Sequence, residues 1–259
     1  SELHVSVYKE ADEGSISVYN IRESVTLPYE TYIVPELSES GLYKIEAAVT
    51  VQNNAGSPVI ITSCTTGILV LSDEELIAGV QEFSPLAIDE SVSTDYCVQN
   101  NEITAILGTT YFVTDVYREC FYHMNAWLCN KEIQQLKADG FNVLRTGNWY
   151  FIPEFYNADG SIGRRGRRAM ETYFYLAAKQ GFTVQFALGT VLLNQWDTSR
   201  SPIHNAGMRK HCMTLIRSFA DNFKDFKNVQ IDIVNEPSYS NRGAWSPGKP
   251  DLDAVELSN

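Results

Sequence analysis

The sequence has little of what marks disulfide-rich, zinc-binding, membrane-spanning or nucleotide-binding proteins. Only five of 259 residues are cysteine, and no two form a CxxC pair, so neither a disulfide framework nor a zinc site is predicted. No apolar run approaches the roughly 20 residues of a membrane span. No GxGxxG or GxxxxGK[ST] loop follows any predicted strand. We therefore expect a soluble protein with no metal and no cofactor.

Positive charge is also scarce. The chain has 20 Lys and Arg against 32 Asp and Glu, which gives a net charge of −12. A surface of this sign repels phosphate backbones and anionic lipid, so neither nucleic acid nor a membrane is expected as a partner. A neutral ligand fits better, and an aromatic content of 12% offers flat surfaces on which sugar rings stack, although most aromatic residues belong in a core.

Residues 1–107 are predicted to form an antiparallel β-sandwich that serves as an accessory domain. Short alternating segments are separated by Gly, Pro, Asn and Ser, and Asn53–Gly56 is a predicted turn. The clearest strands are Ile16–Tyr19, Tyr43–Val51, Val59–Thr62 and Gly67–Leu71.

From residue 108 to 259, strands alternate with helices. Predicted strands at Tyr111–Val116, Phe141–Arg145, Phe182–Leu188 and Val229–Val234 are separated by helical patterns, the first with Asn130 as its N-cap. Val143, Val184 and Val229 hold equivalent places in this repeat. Such units build a parallel sheet, and without phosphate-binding loops a (β/α)8 barrel is favoured over a doubly wound sheet. The fold prediction is therefore α/β, with a β-sandwich followed by the first four β/α units of a barrel.

The last predicted strand ends in Asn235-Glu236-Pro237. A carboxylate at the carboxyl end of a barrel strand is typical of a catalytic group. An ordinary turn with a solvated Glu is the alternative for the tripeptide by itself.

These residues carry a family resemblance. A β-sandwich, a strand ending in Arg145 and a later strand ending in Asn235-Glu236-Pro237 resemble clan A of the retaining glycoside hydrolases, which includes cellulases, β-mannanases and β-galactosidases. The resemblance covers about residues 109–240. It implies that Glu236 is the general acid/base, that Asn235 holds the sugar 2-hydroxyl and that Arg145 supports the nucleophile. For Arg145, an ion pair that only stabilises the fold is the alternative.

The sequence departs from this clan at the nucleophile. The clan's nucleophilic Glu ends strand seven, whereas only four strands are predicted here, and no strand leads into Asp251, Asp253 or Glu256. We expect that the C-terminal half of the barrel, or a partner chain, supplies the nucleophile. A non-catalytic carbohydrate-binding or scaffolding protein with a degenerate barrel is the alternative. A metal-dependent barrel hydrolase lacks the paired His that it would need.

Several polar and aromatic residues follow the predicted strands, where loops at a barrel mouth bind substrate. Indole faces stack on sugars, and amide and imidazole groups pair with hydroxyls, so these residues are candidates for binding a carbohydrate substrate. Packing within loops is the alternative for each aromatic residue, and a structural role is the alternative for the histidine. The candidates are Asn148, Trp149, Asn194, Trp196, His204, Tyr239 and Trp245.

Overall fold

The computed structural model describes residues 1–11, 14–25, 36–88, 90–92, 95–111, 123–147, 152–187 and 206–232. Within them the protein is mixed α/β, with an antiparallel sheet and a parallel sheet. The chain divides into two compact units. Unit 1 comprises residues 1–75 and 124–132, and unit 2 comprises residues 76–123 and 133–259.

The described elements are eleven strands, four α-helices and a short 3-10 helix at Pro153–Phe155. The strands are β1 (Glu2–Ala11), β2 (Gly14–Ser24), β3 (Gly41–Gln52), β4 (Pro58–Val70), β5 (Ala87–Ile88), β6 (Cys97–Gln99), β7 (Glu102–Ile103), β8 (Gly108–Thr110), β9 (Val143–Thr146), β10 (Thr183–Ala187) and β11 (Val229–Asp232). The helices are α1 (Asp73–Gln81), α2 (Ala126–Ala138), α3 (Arg164–Lys179) and α4 (Ala206–Phe223).

Unit 1 contains one four-stranded antiparallel sheet in the order β2-β1-β3-β4. The predicted strands Val59–Thr62 and Gly67–Leu71 were separate in the prediction, but they belong to the single strand β4. The strand is continuous because β4 pairs with β3 throughout this stretch, from Val59 opposite Val51 to Ile68 opposite Tyr43. The predicted turn at Asn53–Gly56 is confirmed: Gly56 has φ of 76°, and its amide donates to the Asn53 carbonyl at 2.9 Å.

Helix α2 begins earlier than predicted. Asn125, and not Asn130, is its cap, because the Asn125 Oδ1 accepts a hydrogen bond from the Leu128 amide at 3.1 Å. The prediction for Asn130 is wrong, since Asn130 is a buried residue inside the helix. A β-carbon on Gly67 would overlap the backbone nitrogen of Trp127, so only glycine allows this approach of α2 to β4.

Unit 2 contains a four-stranded parallel sheet in the order β11-β10-β9-β8 and a small antiparallel sheet in the order β5-β6-β7. Each strand of the parallel sheet neighbours the next one along the chain. Val184 pairs with Val229, as the repeat predicts, whereas Val143 pairs with Thr183 and is offset by one residue.

Aromatic rings fill the core between the parallel sheet and its helices. Phe174 on α3 makes edge contacts with Phe186 on β10, at 5.5 Å between ring centroids, and with Phe223 on α4, at 5.2 Å. Phe186 also stacks on Phe219 of α4 at 4.9 Å. These contacts place α3 and α4 on the same face of the sheet. The buried positions Met170, Phe174 and Ala177 confirm the predicted apolar face of α3.

Two further predictions concern the burial of the cysteines and the first strand of the parallel sheet. Of the cysteines predicted to be buried, Cys129 and Cys212 are buried, but Cys64 is exposed and Cys97 is half-buried, while Cys120 lies outside the described residues. Of the predicted strand at Tyr111–Val116, all residues after Tyr111 lie outside the described residues. Strand β8 directly precedes Tyr111. No helix in the described part of the chain is long and apolar enough to cross a membrane.

Candidate functional site

The candidate site lies at the carboxyl ends of β9 and β11, where a cation and a carboxylate meet. Nη2 of Arg145 lies 2.8 Å from Oδ2 of Asp232. The pair bridges two strands that are separated in the sheet by β10. Because both side chains are less than one-third exposed, the ion pair is partly shielded from water, and its attraction is stronger than that of a fully exposed pair.

Strand alternation explains why these two side chains share a face. Arg145 pairs with Gln185, which pairs with Gln230, and Asp232 lies two residues further along β11. Residues two apart in a strand face the same side. Leu144 and Phe186 hold the alternate positions and are buried. The sheet therefore has an apolar face that packs on helices and an opposite face that carries Arg145 and Asp232.

A residue that directly follows β8 contacts the backbone of Arg145 on β9. Its carbonyl accepts a hydrogen bond from the Tyr111 amide at 2.7 Å, directly after β8. The Tyr111 ring lies parallel to that of Tyr173 on α3, with centroids 5.9 Å apart. The strand end that holds Arg145 is thus connected both to its neighbouring strand and to a buried helix.

Side-chain contacts at the start of β11 hold the strand that carries Asp232. Asn228 Nδ2 donates to the Phe174 carbonyl at 2.9 Å in the buried core. Gln230 Nε2 donates to the Leu86 carbonyl at 3.2 Å, and Lys227 Nζ donates to the Gln81 carbonyl at 3.1 Å. Both carbonyls belong to the segment that precedes the parallel sheet in the chain.

Among the predicted catalytic residues, Arg145 is the one that the structure describes. Its ion pair with Asp232 is the kind of contact that the structural alternative requires, and its predicted support of a nucleophile stays a prediction. Glu236 and Asn235 lie outside the described residues. So do all the predicted substrate-binding residues: Asn148, Trp149, Asn194, Trp196, His204, Tyr239 and Trp245.

Sequence reasoning missed Asp232. The signal was present, because Asp232 is a single charge within the apolar run Ile231–Val234. An unpaired carboxylate at such a place is costly, so a cationic partner on a neighbouring strand was to be expected. Arg145 was the cation already assigned to the same end of the sheet.

The described residues contain no group of three or more His, Cys, Asp or Glu side chains that could hold a metal ion. In comparisons with protein-family models, curated proteins and solved structures, nothing matches this chain.

Proposed function

We propose that the chain carries the acid/base half of a retaining β-glycoside hydrolase active site. Glu236 is the general acid/base, Asn235 contacts the substrate 2-hydroxyl and Arg145 orients the carboxylates of the site. The observation that supports this most is the Arg145–Asp232 pair at 2.8 Å, on the strand that leads in sequence to Asn235-Glu236. The pair puts charged groups at the carboxyl end of the parallel sheet, which is where barrel enzymes hold their catalytic residues.

The strand order supports a barrel as the frame of this site. In a barrel, each parallel strand neighbours the next, whereas a doubly wound sheet reverses its order at a switch point. The order β11-β10-β9-β8 contains no reversal. We propose that these strands are the first four of a (β/α)8 barrel, and that the sheet of unit 1 belongs to a β-sandwich.

The spacing of Asp232 and Glu236 is compatible with this role. The two residues are an even number of positions apart, so a strand continuing from Asp232 would direct both side chains to the face that carries Arg145. A retaining mechanism needs one carboxyl group that protonates the leaving oxygen and one carboxylate about 5 Å away that attacks the anomeric carbon. In this proposal Glu236 is the first, and the second comes from the C-terminal half of the barrel or from a partner chain.

A saccharide substrate agrees with the charge of the protein. A net charge of −12 disfavours polyanions, and a neutral glycan meets no such repulsion. The binding subsites of the proposal are the tryptophans Trp149, Trp196 and Trp245, with amide and hydroxyl partners on the same loops.

A non-catalytic carbohydrate-binding or scaffolding protein is the second candidate. The observation that favours it is that Arg145 already has a carboxylate partner in Asp232, as a purely structural cation would. The two candidates differ in whether Glu236 transfers a proton.

The substitution Glu236→Ala tests the proposal in a protein that contains this chain together with the nucleophile. Glycosides with poor leaving groups need protonation, so their hydrolysis should fall by about 100-fold or more. Aryl glycosides with activated leaving groups need no proton, so the covalent glycosyl-enzyme should form and then accumulate. Azide should attack the anomeric carbon, release the nucleophile carboxylate and give a β-glycosyl azide.

Glu256→Ala is the matched control, because the same side chain is removed from an acid that no predicted strand presents. It should leave all these rates unchanged. Equal loss of every substrate in Glu236→Ala, with no rescue by azide, would contradict an acid/base role.

A further inference from the structure

A cavity of about 960 Å³ lies in unit 1, at the end of the antiparallel sheet where β1 begins and β2 ends. Its volume is within the range of small-molecule sites. Six polar residues on three strands contribute to its lining: Glu2, His4, Arg22, Ser24, Thr50 and Gln52. None of these residues belongs to the site proposed for hydrolysis.

The register of the sheet brings the polar residues onto one face. Glu2 on β1 lies opposite both Ser24 on β2 and Thr50 on β3. His4, two residues further along β1, lies opposite Arg22. Because alternate residues of a strand face the same side, these groups form two adjacent rows across the sheet.

Hydrogen bonds fix the imidazole of His4 and, through it, the guanidinium of Arg22. Arg22 Nε donates to His4 Nδ1 at 3.1 Å, so Nδ1 carries no proton and the neutral ring has its proton on Nε2. Nε2 lies 3.3 Å from Thr50 Oγ1 and 3.5 Å from Glu2 Oε2. The imidazole therefore links all three strands and positions Arg22.

The terminal edge of the Arg22 guanidinium has no ion-pair partner among the described residues. Its Nε is engaged by His4, and none of the described carboxylates forms an ion pair with its terminal Nη1 and Nη2 groups. These two groups match the two oxygens of a carboxylate. In a chain with 32 acidic side chains, such a guanidinium beside a cavity is a binding group for an anion.

The other lining groups limit which anion fits. The Glu2 carboxylate accepts hydrogen bonds from hydroxyls. It repels any negative charge that a ligand carries beyond the one paired with Arg22, which disfavours phosphates and polyanions. Ser24, Thr50 and the Gln52 amide both donate and accept hydrogen bonds. The complementary ligand has one carboxylate and several hydroxyl groups.

We propose that this cavity binds a small hydroxylated monocarboxylate, of which a uronic acid is the model. The carboxylate pairs with Nη1 and Nη2 of Arg22, and the hydroxyls bind Glu2, Thr50 and Gln52. The site lies entirely within unit 1, so it does not depend on the proposed hydrolysis.

Isothermal titration of the 259-residue chain with three probes tests the proposal. D-galacturonate has both features of the ligand, D-galactose has the hydroxyls alone and acetate has the carboxylate alone. Galacturonate should bind at least about tenfold more tightly than either of the others, because charge-assisted hydrogen bonds and hydroxyl contacts both contribute. Arg22→Gln should weaken galacturonate binding by about tenfold or more and leave galactose binding unchanged.

Arg217→Gln is the matched control, because it removes the same charge from an exposed position on α4 and should change no affinity. Gln52→Ala, at the exposed end of β3, gives an independent variant and should weaken galacturonate binding by about threefold or more. Equal affinity for galactose and galacturonate, equal affinity for acetate and galacturonate, unchanged binding in Arg22→Gln, or no binding at all would each overturn the proposal.

Discussion

Arg145 and Asp232 are the residues on which the account of unit 2 depends most. Each side chain is less than one-third exposed, so neither charge is fully hydrated, and each compensates the other at 2.8 Å. Exposed ion pairs contribute little to stability, but a pair that has lost part of its hydration is costly to break. The pair therefore connects β9 and β11 across β10 at the end of the sheet where the catalytic residues are proposed.

Asp232→Asn should lower the free energy of unfolding by about 1–3 kcal/mol, because it removes the carboxylate charge that lies 2.8 Å from the partly buried Arg145 guanidinium. Urea denaturation measures this change. Removing both charges, in Arg145→Met with Asp232→Leu, should recover much of the loss.

Asp221→Asn on α4 is the control for that experiment, because it makes the same chemical change at an exposed position. Its effect should remain within about 0.5 kcal/mol. If Asp232→Asn is equally mild, the Arg145–Asp232 pair does not hold the strand ends together.

Helix α3 approaches the short 3-10 helix at Pro153–Phe155 closely. Its third residue, Gly166, lies against the 3-10 helix, where an added β-carbon would be 2.5 Å from the Phe155 carbonyl oxygen. This contact is with backbone, which cannot rotate away. The glycine is thus required by the approach of the two elements and not by helix formation.

Gly166→Ala should therefore destabilise the protein by about 1–3 kcal/mol, although alanine is favoured over glycine in a helix by about 1 kcal/mol. Gly79→Ala on α1 is the matched comparison, because its β-carbon would meet the ring edge of Tyr175, a side chain that can rotate. In urea denaturation, Gly79→Ala should lower the free energy of unfolding less than Gly166→Ala does. The reverse order would show that α3 has room at Phe155.

Strands β9, β10 and β11 could be predicted from their apolar runs, whereas β8 begins three residues before the strand predicted at Tyr111–Val116. Periodicity placed Met170, Phe174 and Ala177 on one buried face. Register was harder to predict: the strand–helix repeat suggested equivalent places for Val143, Val184 and Val229, yet Val143 pairs with Thr183, one residue before Val184. A repeated sequence pattern indicates where a strand begins, whereas side-chain packing determines the register in which it pairs with its neighbour.

The candidate site was less accessible from sequence than the fold. Arg145 was identified by its place at a strand end, but Asp232 was missed because its neighbours suggested only a buried strand. The cluster of His4, Arg22 and Thr50 had no sequence signal, since its members lie on three strands and meet through pairing between residues far apart in the chain. Local patterns predict elements, and long-range pairing assembles sites.

For the molecule as a whole, we propose different ligand chemistry for the two units. Unit 1 contains a polar cavity lined by Arg22, whose terminal guanidinium nitrogens have no ion-pair partner among the described residues. Unit 2 contains a parallel sheet whose strands follow one another in sequence and which has charged residues at its carboxyl end. The central claim is that unit 2 belongs to a retaining glycosidase.

The stereochemistry of the first product tests this claim most directly. A protein that contains this chain and its nucleophile should be incubated with aryl β-glycosides, and the anomeric proton of the released sugar should be followed by NMR before mutarotation. Two successive displacements at the anomeric carbon predict that the β-anomer appears first. If the α-anomer appears first, a single displacement by water has occurred, and the retaining mechanism proposed for Glu236 is wrong.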